Sequence, residues 1–208
     1  MSVTRRDFLG YACTAAACAG FGGAVAAVAP DDALLRPPGA QDAGRFFGAC
    51  IRCDRCRSIC PEGIVTPSTL FEGALSARTP KLDFHRGYCT FCDLCKDVCP
   101  TGAIVGFDEN SQKIGMAVIQ PSRCLAFSTG CRICVDECEY GALSLDDEDI
   151  PVVDPAVCNG CGKCVSVCPA LVFRTYRGGR VRGVEVVSLA DYERIGSTRA
   201  EVEGGDSR

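Results

Sequence analysis

The sequence predicts an α+β fold of short helices and β-hairpins, divided between two similar small modules arranged in tandem or nested order. Three observations carry this. One cysteine pattern occurs four times, starting at positions 50, 89, 124 and 158, an internal repeat of 34 to 39 residues. Short apolar runs separated by polar or glycine-containing turns lie between the copies, which is the grammar of hairpins. With no Trp and only 7% aromatic residues, the chain lacks the material for a large enzyme-like core.

The first copy is Cys50, Cys53, Cys56 and Cys60 followed by Pro61, and the second is Cys89, Cys92, Cys95 and Cys99 followed by Pro100. The third is stretched: Cys124, then Cys131, Cys134 and Cys138, with Glu139 in the proline position. The fourth is Cys158, Cys161, Cys164 and Cys168 with Pro169. The spacing C-x2-C-x2-C-x3-C-P is a ligand run for [4Fe–4S] clusters, so the cofactor expected is four such clusters, all sixteen of these cysteines are cofactor-binding, and no residue is assigned a catalytic role. Three thiolates at intervals of three residues wrap one cube on a tight loop. The fourth falls about one helical turn further on and ligates the neighbouring cube.

Each copy therefore needs a partner. In tandem order, cluster 1 is held by Cys50, Cys53, Cys56 and Cys99, and cluster 2 by Cys89, Cys92, Cys95 and Cys60. Cluster 3 is then held by Cys124, Cys131, Cys134 and Cys168, and cluster 4 by Cys158, Cys161, Cys164 and Cys138. Nested order instead pairs the first copy with the fourth and the second with the third. The short connection from Cys138 to Cys158 has the compact form of a hairpin inside one module and favours tandem, and nothing in the spacing excludes nesting. Two plainer readings of the cysteines are disfavoured. Disulfide frameworks have irregular spacings rather than four repeats of one, and zinc sites use two separated C-x2-C pairs rather than triplets with a fourth.

From the N-terminus, Thr4-Arg5-Arg6-Asp7-Phe8-Leu9-Gly10 resembles the twin-arginine export motif, with Gly10 in place of the usual Lys, and is followed by a weakly apolar stretch from Tyr11 to Ala29. Residues 1–29 are the expected signal segment, with Ala24-Val25-Ala26 the better cleavage site because Pro30 follows Ala27-Val28-Ala29. An uncleaved segment would give membrane association. Cys13 and Cys18 lie inside it and read as small apolar residues. Residues 30–48, with Pro37-Pro38-Gly39, are expected to be an extended linker, followed by module one over 49–120, module two over 121–190 and a polar tail over 191–208.

Within module one, Arg45, Arg52, Arg55 and Arg57 give the first motif a basic face suited to an acidic redox partner. Thr66-Pro67-Ser68 is expected to cap a short helix from Thr69 to Ala77, and Lys81 to Phe84 reads as a strand. His85, the chain's one histidine, is expected near the surface rather than as a ligand, since four thiolates are already available. Three hairpins are expected: Ala103–Phe107 with Met116–Ile119, Ala142–Leu145 with Pro151–Val153, and Leu171–Tyr176 turning at Gly178-Gly179 into Val181–Val187.

The net charge of −4 and pI of about 5.1 exclude a general nucleic-acid binder. No stretch is long enough for several membrane helices.

With these motifs the sequence resembles the NapF, NapG and MauM group of ferredoxin-type proteins encoded with periplasmic nitrate reductases. The stretched run Cys124-Leu125-Ala126-Phe127, Cys131-Arg132-Ile133-Cys134 and Cys138-Glu139 is the most specific match, with Cys158-Asn159-Gly160-Cys161-Gly162 supporting it over residues 46–176. The resemblance implies two bacterial dicluster ferredoxin-like modules and an electron carrier rather than an enzyme. It implies as partners a membrane-bound quinol dehydrogenase and an exported reductase, a molybdoenzyme being one candidate, at the periplasmic or extracytoplasmic face. The cluster half is similar to NapF, whose members are tied to maturation of the catalytic subunit, and the export signal is similar to NapG and MauM. A maturation or redox-repair role is therefore the alternative function.

Overall fold

The computed structural model describes residues 34–170 and 182–195. The expected signal segment, Leu171–Tyr176 and the turn at Gly178 and Gly179 lie outside the described residues. In chain order the elements are α1 (Ala43–Ala49), α2 (Arg55–Ile59), β1 (Val65–Pro67), a 3-10 turn (Leu70–Glu72), β2 (Pro80–Leu82), α3 (Leu94–Asp97), β3 (Met116–Ile119), α4 (Ala126–Thr129), α5 (Ile133–Asp136), β4 (Leu143–Leu145), β5 (Pro151–Val153), α6 (Lys163–Val167) and β6 (Val184–Val187). Helices of four to seven residues are too short to be stable by propensity, so tertiary contacts hold them.

The strands form three antiparallel pairs: β1 with β2, β4 with β5, and β3 with β6. The β4–β5 hairpin lies where expected, with Leu143 opposite Val153 and the Asp146 carboxylate accepting from the Glu148 and Ile150 N–H groups in its turn. The expected pairing of Ala103–Phe107 with Met116–Ile119 is corrected: β3 pairs with β6, Met116 opposite Val187 and Ile119 opposite Val184. Ala103 and Ile104 are buried instead against Phe46 and the thiols of the first two motifs. β3 and β6 thus bracket motifs three and four.

Two further expectations are corrected. The helix expected from Thr69 to Ala77 is only the 3-10 turn 70–72, closed by a capping box between Thr69 and Glu72, because β1 takes up residues 65–67 and the chain must return at once into β2. Residues 30–48 are not a free linker over their described part: Arg36 to Ala40 are buried, and Asp42 caps α1 by accepting the Arg45 N–H at 3.0 Å. The Arg36 guanidinium lies against the Phe46 and Phe47 rings at 5.1 and 4.9 Å and donates to the Thr79 hydroxyl and, at 3.2 Å, to the Pro80 carbonyl. A stretch with cation–π contacts, buried hydrogen bonds and a capped helix is ordered at its own expense in entropy only because it covers apolar surface. At the other end, residues 189–195 are helical, capped by the Ser188 hydroxyl, so the tail expected from Asp191 starts as structure.

The principal core runs through both modules. Ile64, Leu82 and Phe84 of the first pack with Met116, Ala117, Leu143, Val165 and Val186 of the second. Gly162, at φ +81°, lies so close to the Phe84 ring that an added Cβ would come within 2.1 Å of it, and Gly160 is similarly close to the Gly115 backbone. Glycine is required there by contact as well as by conformation.

Candidate metal centres

The sixteen motif cysteines gather into four groups of four. Cys50, Cys53, Cys56 and Cys99 line one pocket with Phe46 and Ile104. Cys60, Cys89, Cys92 and Cys95 line a second, walled by Pro37, Ile64 and Leu82. Cys138, Cys158, Cys161 and Cys164 line a third beneath Ala142, Leu143 and Val186. Cys124, Cys131, Cys134 and Cys168 form the remaining group, close enough that, beside burial, Cys131 and Cys168 raise the cost of ionising Cys124 and Cys134. In every group three cysteines come from one motif and the fourth from the partner motif of the same half of the chain. Motif one thus exchanges its last cysteine with motif two, and motif three with motif four.

Short helices set this exchange. α2 carries Cys56 of one group and ends at Cys60 of the next; α5 and Cys138, and α6 with Cys164 and Cys168, repeat the device in the second module. The loops before the helices turn back on themselves through left-handed residues on both sides of the second cysteine: Arg52 and Asp54, Phe91 and Asp93, Gly160 and Gly162. Four of these six are not glycine, and such residues held at positive φ store strain that a functional site must justify. Alternating right- and left-handed backbone turns consecutive N–H groups inward and builds a concavity for an anion. Motif three differs, with Gly130 left-handed but Arg132 at φ −129°.

The electrostatics fit the same reading. Burial pushes the Cys56, Cys89 and Cys134 thiols up to about 12 and Cys95 and Cys161 to about 11, with neighbouring thiols adding to the shift. Cys164 rises well above its ordinary value for the same reason. Cys99 moves down: burial opposes it, but the N–H groups of Ile104, Thr101 and Ala103 outweigh that by donating to its sulfur. The Gly183 N–H donates to Cys168 Sγ at 3.3 Å. Among the described residues, no three Cys, His, Asp or Glu side chains converge on a point that one metal ion could occupy.

Comparison with known proteins agrees with this geometry. Two family profiles match, both described as a 4Fe-4S dicluster domain, one over residues 49–103 and again over 127–172, the other over 150–201. The chain carries two 4Fe–4S dicluster ferredoxin domains. Domains of this kind are those of ferredoxin-type iron–sulfur electron carriers. Among curated proteins the chain is similar to the ferredoxin-type protein NapG of Escherichia coli (strain K12) and to that of Shigella flexneri, each 48% identical over 46 residues. That match covers 22% of this chain and 20% of each relative, so the chain spans about a fifth of the length of the curated relatives it matches.

The two ferredoxin domains meet at their thiol groups. The Cys89 N–H donates to the Cys161 carbonyl at 2.8 Å, joining a cysteine of the second group directly to one of the Cys158 group. Lys163 Nζ sits 4.1 Å from the centre of the Tyr88 ring at the same junction, and Phe91 stacks on Phe107 at 5.5 Å. His85 is half-buried, with Nε2 3.5 Å from Glu185 Oε2, and lies in no thiol group. Sequence reasoning missed Pro37 and Phe46 as covers for the first two groups and Gly183 as a donor to Cys168. Asp42 ahead of Phe46-Phe47 is an N-cap signal that could have revealed the first pair; Gly183 gave none.

Proposed function

We propose that the chain is an exported polyferredoxin that holds four [4Fe–4S] clusters and relays electrons between a membrane quinol dehydrogenase and a terminal oxidoreductase. Each cluster, when bound, supplies reversible one-electron transfer. The observation that carries this reading is the continuity of the four thiol groups. The Cys50 group adjoins the Cys60–Cys89 group through α2, that group adjoins the Cys138–Cys158 group through the Cys89–Cys161 hydrogen bond, and α5 and α6 lead on to the Cys124 group.

Apolar residues wall parts of the groups against water. Pro37, Ile64 and Leu82 exclude water from one group, and Leu143 and Val186 from another. Backbone N–H donors to Cys99 and Cys168 stabilise negative charge on sulfur, which favours the reduced state of whatever those thiolates ligate. The twin-arginine sequence at Arg5 and Arg6 and the partial likeness to NapG support export and a quinol-linked role.

The test is reduction by quinol. Anaerobic protein is mixed with membranes of the native host and menadiol, and absorption near 400 nm is followed. Bleaching that requires both membranes and quinol, and reverses when an oxidant is added, is expected. Full bleaching by dithionite with none by quinol and membranes would contradict the relay.

A further inference from the structure

We propose that the basic, apolar face beside Cys53 is the docking surface for an acidic protein redox partner. The inference rests on the electron-transfer reading and adds which end of the thiol series meets which partner. Cys53 and Cys92 are the exposed thiols among the sixteen. The loop between β1 and β2, tied to motif one through Arg52 and Asp54, carries Phe71, wholly exposed at 102%, and Leu70 at 72%. Adjacent large apolar side chains left in water at a defined place mark a surface that something else covers.

This tip is held firmly. Ser68, Ser76 and Thr79 are buried beneath it, with the Ser68 hydroxyl donating to the Ser76 carbonyl and bonding to the Thr79 hydroxyl. The capping box of Thr69 and Glu72 fixes the turn itself, and Lys81 pairs with Glu72. A rigid anchor loses little freedom on binding, the property of a contact that contributes strongly to affinity. The loop is also tied to motif one: the Arg52 guanidinium donates to the Leu75 carbonyl at 2.9 Å, and Arg78 lies 3.7 Å from Asp54.

Charge selects the partner. Arg52, Arg55 and Arg57 of motif one and Arg78 of the loop are all exposed, against Asp54 and the Lys81-paired Glu72. The half that holds motifs three and four has the reverse sign. Residues 121–170 hold three Lys and Arg and eight Asp and Glu, four of them in the exposed run Asp146 to Asp149. A chain polarised in this way steers an acidic face to the Cys53 end and repels it from the other. An anionic lipid surface would also attract the arginines. The loop that carries Phe71 is tied, however, to Arg52 and Asp54 on either side of the exposed Cys53, so a partner seated on it lies beside the place where an electron leaves or reaches the chain, and Asp54 and Glu72 lie within that surface.

The test uses the full chain with its iron and sulfide loaded. The probes are a blue-copper protein with an acidic face, in its copper form for electron transfer and its redox-inert zinc form for binding, and a basic cytochrome c as contrast. Phe71→Ser with Arg78→Gln is expected to raise the Kd for the zinc form at least tenfold and to slow oxidation of the reduced chain by the copper form comparably. The wild-type rate should fall steeply with salt. Oxidation by the cytochrome should be unchanged. Iron, sulfide and dithionite bleaching are measured on the same samples: their loss in the wild type would overturn the electron-carrier reading itself, whereas normal values with Kd and rates unaltered in both single variants and the double variant would overturn only the docking face. Loss of binding to phosphatidylglycerol vesicles in Phe71→Ser, with copper-protein binding intact, would also overturn it and make the tip a lipid contact.

Discussion

Gly162 shows how much one residue decides in this chain. It combines a left-handed φ of +81° with contact against the Phe84 ring, at the junction where the Cys89 N–H meets the Cys161 carbonyl. Gly162→Ala adds a left-handed alanine and an overpacked methyl, together about 3 kcal/mol of destabilisation. The expected result is a lower anaerobic melting temperature and faster iron release to a chelator; unaltered values would show that the junction yields easily. At this scale the sixteen thiols were legible, because ligand spacing is a local property of sequence. The left-handed positions were only half legible. Gly160 and Gly162 announce them in motif four, whereas Arg52, Asp54, Phe91 and Asp93 occupy the same conformations without being glycine, so only the fold reveals them.

At the scale of elements, the short helices that lead from a cysteine of one group to a cysteine of the next confine each exchange to one half of the chain. A fragment covering residues 34–113 keeps motifs one and two, α1 as cover and the β1–β2 hairpin, and omits β3, whose partner β6 is far away in sequence. It is expected to retain about 8 irons with two interacting [4Fe–4S]⁺ signals by EPR. Three-iron signals alone, or no iron, would argue for exchange between the halves. The β4–β5 hairpin was legible because alternation and its acidic turn are contiguous. The β3–β6 pair was not, since register between strands 65 or more residues apart is set by the packed core rather than by any turn. Ala103–Phe107 misled for a related reason: a short apolar run reads as a strand but here Ala103 and Ile104 serve as cover for thiols.

For the whole molecule, the proposed relay and docking face together predict different partners at the two ends of the thiol series. Targeting is separable from this. Replacing Arg5 and Arg6 together with Lys is expected to leave the chain folded and iron-loaded in the cytoplasm, checked by fractionation; normal export of the double variant would remove the twin-arginine reading. The fold class was legible as a whole because four copies of one motif dictate it, while the way the modules interlock through Phe84, Gly162 and the shared core was not. The central claim is that all sixteen thiolates hold clusters. Its most direct measurement is iron, acid-labile sulfide and Mössbauer spectroscopy on the anaerobically purified full chain. About 16 irons and as many sulfides per chain, with the spectra of [4Fe–4S] sites alone, are expected. Stoichiometric zinc with little iron, or iron without matching sulfide, would contradict the account.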